Sequence, residues 1–173
     1  ASKSAVTALV TALGDDDLTV QLNAADALGQ LGPDAADSVD ALVTAMRNEE
    51  AAVTIRAAQA LSQIGPAAAP AVAGLLANEQ LRQLAAMILG EMGPDAKTAV
   101  PALIDAMDDK NEEVKRDVIV ALAFIGPDAQ PAAPKLLAIL DDPDAAARPA
   151  AAFALGKIGV KDAIPLLERT ALV

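Results

Sequence analysis

A chain of 173 residues can bury a sizeable core, but this one has no cysteine, histidine, tryptophan or tyrosine and only two phenylalanines. Disulfides, thiolate nucleophiles, metals held by cysteine or histidine, and imidazole acid–base chemistry are thereby excluded. The formal net charge of −11 speaks against a phosphate backbone or an anionic membrane as partner, because both recruit basic protein surfaces.

Taken in chain order, the opening ASKSAV lacks a basic segment followed by an apolar one, so no signal peptide is expected. The longest apolar runs, at 67–77 and 118–126, are too short to cross a bilayer. The compartment stays open. The first periodic segment is Val6, Leu9, Val10 and Leu13, whose spacing places them on one face of a helix. An acidic turn, Asp15-Asp16-Asp17, leads into a second helix from about Val20 to Leu31, with Val20, Ala24, Leu28 and Leu31 facing the core. Gly32 is expected to close it in a left-handed stop, and Pro33 to prevent continuation.

The same order then recurs. Val39, Leu42, Val43 and Met46 precede the turn Asn48-Glu49-Glu50 and a helix ending at Gly65. A third copy carries Asn78-Glu79 in its turn and ends at Gly93. The fourth has Val100, Leu103, Ile104 and Met107, the turn Asp108-Asp109-Lys110-Asn111, and Gly126. The fifth has Asp141-Asp142-Pro143-Asp144, in which Asp142 is expected as a cap and Pro143 as first helical residue, and ends at Gly159. A trailing helix, residues 161–172 with Ile164, Leu167, Ala171 and Leu172, completes the chain. The closing glycines are spaced 33, 28, 33 and 33, so the third copy has lost five residues. Leu28, Leu61, Leu89, Leu122 and Leu155 form one column, and alanine pairs another, replaced by Val118-Ile119 in the fourth copy.

A helical hairpin of this size cannot bury its faces alone, but stacked hairpins share a continuous core. The predicted fold is all-α, a right-handed α–α superhelix (solenoid) of about five hairpins plus the trailing helix. Its repeats fall at approximately 4–35, 36–68, 69–96, 97–129 and 130–159, with a half repeat at 160–173.

The unit AVPALIDAMDDKNEEVKRDVIVALAFIGPDA (99–129) resembles a HEAT repeat of the short phycobilisome-lyase type, and the likeness extends over nearly the whole chain. The resemblance implies an arginine early in each second helix. That position is Arg82, Lys115 and Arg148 in three copies but Gln21 and Thr54 in the first two, so an Asp–Arg ladder is expected to lapse at the N-terminal end. The shortened third copy is expected to bend or pinch the stack around 76–81.

The enzymes and nucleic-acid binders of this repeat class fit poorly. A histidine–iron hydroxylase has no ligands here, and DNA-repair relatives use a basic concave face. A bilin-lyase subunit is compatible with the repeat, though little aromatic surface exists to hold a tetrapyrrole. Thirteen of the 24 acidic residues lie in the turns between first and second helices. The EF-hand series is missing, and so are the aromatics of a sugar cleft, so helix capping and a solvated edge is the expected role, with a weak cation site as the alternative. No catalytic, cofactor-binding or metal residue is assigned.

Solenoids usually bind through the concave face lined by their second helices. Counting from the leucine column at 100° per residue gives the positions that point away from the core. Two before it stand Asp26, Gln59, Met87, Val120 and Phe153; two after it Gln30, Gln63, Glu91, Phe124 and Lys157; five before it Asn23, Arg56, Leu84, Asp117 and Ala150. The first two repeats are polar there. Leu84, Met87, Val120, Phe124 and Phe153 then interrupt the pattern, suggesting a partner-binding patch with Arg56, Glu91, Asp117 and Lys157 as its rim. The alternatives are packing within a curved stack and self-association, through the patch or the trailing helix. The expectation is a non-enzymatic scaffold or adaptor, without cofactor, that binds a protein or peptide partner and neither nucleic acid nor the membrane interior. The alternatives are an accessory or substrate-holding subunit of a bilin-lyase-like enzyme system, or an engineered, consensus-derived repeat.

Overall fold

A computed structural model describes residues 2–141 and 146–160. Among these, ten α-helices are joined by short turns and 3-10 segments, and no strand occurs. The helices are α1 Lys3–Ala12, α2 Leu18–Leu31, α3 Val39–Ala45, α4 Ala51–Ile64, α5 Ala69–Gly74, α6 Arg82–Met92, α7 Val100–Ala106, α8 Glu112–Ile125, α9 Ala133–Ile139 and α10 Ala147–Ile158. Each odd helix pairs with the even helix that follows it. Even helices also pack directly on one another, whereas odd helices touch their odd neighbours only slightly. The even helices therefore line the inside of the curve, and the all-α solenoid read from the repeat is the observed fold.

The leucine column explains this packing. Leu28, Leu61, Leu89, Leu122 and Leu155 are completely buried, flanked by Ala24-Ala25, Ala57-Ala58, Ala85-Ala86 and Val118-Ile119. One residue beyond the leucine, small side chains let even helices approach to backbone contact. A Cβ at Gly29 would overlap the side chain of Gln63 and lie 3.1 Å from the Ala60 Cα. A Cβ at Gly90 would come within 3.3 Å of the Ala121 Cα.

The acidic and amide residues between helices cap them. Asp17 accepts from the Thr19 N–H at 2.7 Å, and Asn111 accepts from the Glu113 and Val114 N–H groups at 2.9 and 3.4 Å. Asp15, Asn48, Asn78 and Asp109 each accept from the N–H two residues on, closing one turn after another in the same way. Proposed caps at Asp142 and Pro143, and the trailing helix at 161–172, lie outside the described residues.

Two expectations change in the structure. Val20 is 37% exposed, not core. Its counterparts Val53, Val114 and Ala147 are buried. The closing glycines all have positive φ, but Gly32, Gly65, Gly93 and Gly126 have ψ near −130 to −138°, outside the left-handed helical region. Each precedes a proline, whose Cδ disfavours helical ψ in the residue before it. Gly159 precedes Val160 and is left-handed, with φ 84° and ψ 31°.

The ladder between repeats is present in two forms and interrupted between the second and third copies. Arg82 reaches Asp109 of the next repeat at 3.1 Å. Gln21 makes the neutral equivalent, accepting from Asn48 Nδ2 at 3.2 Å. Thr54 is too short to cross and donates to the Met46 and Asn48 carbonyls of its own hairpin. The α4–α6 contact is correspondingly much smaller than those of α2–α4 and α6–α8. A cleft of 390 Å³ opens there between Thr54 and Ile55 on one side and Asn78, Gln80 and Leu81 on the other. The missing five residues thus loosen the stack.

Candidate interaction groove

The inner-face residues that depart from the repeat fall mostly together. Helices α6 and α8 run parallel and meet at Gly90 and Ala121, which with Ala86 form the floor of an open groove of 440 Å³. Its walls are Met87 and Glu91 of α6 and Asp117, Val120 and Phe124 of α8. Met87 is 56% exposed and Phe124 53%. Val120 and Asp117 are half-buried.

The groove continues onto α10 through an aromatic pair. Phe124 meets Phe153 edge to face, with centroids 6.2 Å apart and planes at 71°. Phe153 is itself 44% exposed, and the Lys157 ammonium lies 5.6 Å from its ring centre. Adjacent even helices are so close that the position two after the leucine on one meets the position two before it on the next. The two phenylalanines are such a pair.

Not every sequence candidate joins this group. Leu84 is half-buried and packs against the core. Arg56 sits on the polar part of the face, 3.4 Å from Asp26 and from Gln59 Oε1. Sequence reasoning passed over Gly90 and Ala121, although the small-residue columns just after and just before the leucine signal a close approach. It also passed over Gln83, whose Nε2 donates to Asp117 Oδ2 at 2.9 Å and fixes that carboxylate.

No cluster of three or more carboxylates close enough to hold a metal occurs among the described residues. No helix of the described residues is long and apolar enough to cross a membrane.

Comparison with known proteins agrees with the repeat and the packing. The HEAT repeats family matches residues 6–80 and 69–145, and the PBS lyase HEAT-like repeat matches 147–170. No curated protein matches the chain. Among solved structures, the complex of CpcE and CpcF of phycocyanin lyase from Nostoc sp. PCC7120 aligns with a TM-score of 0.64 at 26% identity, over 94% of this chain and 68% of that one. The archaeal HEAT-like repeats protein from Thermococcus onnurineus NA1 aligns with a TM-score of 0.56 at 20% identity, covering 91% and 71%. A designed armadillo repeat protein in complex with the peptide (KR)4 gives 0.59 at 19%, covering 90% and 82%. Helical hairpins stacked on a shared leucine column, matched over most of their length by that repeat, place this chain among the HEAT-repeat proteins.

Proposed function

We propose that the protein is a non-enzymatic interaction scaffold that takes a protein or peptide segment on the inner face of repeats three to five. The observation that carries this reading is the exposure of Met87, Phe124 and Phe153 in columns that the first two repeats fill with Asp26, Gln30, Gln59 and Gln63. Packing alone is a weaker account, since about half of each of these three side chains stays open to solvent although the core beside them is closed. The fold's use for peptide capture in a designed armadillo protein, and for protein–protein assembly in the CpcE–CpcF complex, supports the same reading.

The test is affinity capture with the wild type beside a Phe124→Glu/Phe153→Glu variant. Loss of specific proteins with the variant is expected; recovery of the same set by both overturns the reading. Light scattering on the same pair checks self-association, which predicts a mass that halves on substitution. A second reading, an accessory member of a lyase-type assembly, is favoured by the CpcE–CpcF similarity at 26% identity. It predicts co-purification of a chromophore or small substrate, which absorbance in the visible would reveal.

A further inference from the structure

Resting on that interaction reading, we infer the chemistry of the occupant: a cationic segment in which one large apolar side chain is flanked on both sides by Lys or Arg. The groove has an apolar floor and mostly apolar walls, and among the described residues its only charged lining residues are the carboxylates Glu91 and Asp117. Of the basic residues on the same face, Arg56 is held by Asp26, and Lys157 lies over Phe153 on α10, not on the α6 and α8 walls that carry the two carboxylates. The negative potential at the groove is therefore not cancelled locally, and the net charge of −11 reinforces it.

The spacing also matches. Gly90 lies against Ala121, so Asp117 stands about five residues along the parallel helices from the level of Glu91. That corresponds to an axial separation of about 7 Å. An extended peptide advances about 3.3 Å per residue. Its side chains alternate between faces, so the residues on either side of the anchor start from the outer face about 7 Å apart, and only the long flexible stems of Lys or Arg reach round to the two carboxylates while the anchor enters between Met87, Val120 and Phe124. Gln83 holds Asp117 in place on one oxygen, leaving the other free to accept from the ligand. Nucleic acid and acidic peptides are repelled by the same carboxylates.

The protein contains no tryptophan or tyrosine, so a tryptophan in the ligand reports its own burial without background. The probe is the synthetic peptide GSKRWRKSG, followed by its emission during titration with the full chain. Binding with a blue shift is expected, weakened about tenfold or more between about 50 and 300 mM salt. The Glu91→Gln/Asp117→Asn variant is expected to bind about fivefold or more weakly, with a shallower salt dependence. An Asp40→Asn/Asp105→Asn variant removes equal charge from α3 and α7, and is expected to stay within about twofold of the wild type. Equal losses in both variants would mean diffuse attraction to an acidic protein and would overturn the inference. So would equal affinity for the peptide GSESWSESG, or no binding of the cationic peptide at all. In those cases, loss of captured proteins with Phe124→Glu/Phe153→Glu would still leave the scaffold reading standing.

Discussion

At the scale of single residues, the leucine column and the inner-face columns differ sharply in what a substitution removes. Leu122 is fully buried, so Leu122→Ala leaves a cavity and is expected to cost about 2–5 kcal/mol in urea denaturation. Phe124 lies two positions away and is half exposed; Phe124→Ser is expected to cost less than about 1 kcal/mol. A larger loss would show that the phenylalanine serves the core. Glycines separate in the same way. Gly74 has helical backbone and nothing within 4 Å of an added Cβ, so Gly74→Ala is expected to stabilise by about 0.5–1 kcal/mol. Gly90 already sets the distance to Ala121, and Gly90→Val is expected to destabilise by about 2 kcal/mol while filling the groove floor.

At the scale of elements, the bond between hairpins is the ladder of turn residues. The Arg82–Asp109 pair is mostly shielded from solvent, and Arg82→Met, which keeps the aliphatic contact, is expected to lower the midpoint by an amount equivalent to about 1 kcal/mol. The Lys3–Asp37 pair is exposed at both ends, and Lys3→Met is expected to change nothing measurable. The helices, their order and their leucine faces were legible in the sequence, because each follows from local spacing repeated five times. The ladder was half legible. The arginine column could be read, but the Gln21–Asn48 bond that replaces it uses side chains that fit many positions equally well. The groove was legible as a set of misfit residues on one face. The edge-to-face contact of Phe124 with Phe153 was not, since it depends on how closely α8 and α10 approach. Val20 was misread because a column gives a residue type at a position, not the packing that covers it: Val53, Val114 and Ala147 are buried and Val20 is not. The glycine ψ angles were misread because the following proline, not the helix, decides them.

At the scale of the whole molecule, a solenoid is close to one-dimensional, and its cooperativity is limited by its weakest step. That step lies between α4 and α6, where Thr54 fails to cross, a small-residue contact is replaced by Ser62 and Ile88, and a cleft exposes Ile55 to 53%. The helices before it, α1 to α4, and those after it, α6 to α10, each keep strong internal contacts. Native-state hydrogen exchange is expected to find α4 opening at a lower free energy than α8. The substitution Leu61→Ala sharpens the comparison. It is expected to collapse protection across α1 to α4 while leaving the amides of α8 nearly unchanged, whereas Leu122→Ala lowers protection across α6 to α10. Equal loss throughout the chain after Leu61→Ala would mean that the stack opens as one unit. The groove between α6 and α8 would then share its stability with α1 to α4. If the step divides the stack as expected, the groove sits entirely within the more stable block. The cationic peptide should then bind the Leu61→Ala variant with unchanged affinity under conditions where α1 to α4 are already open.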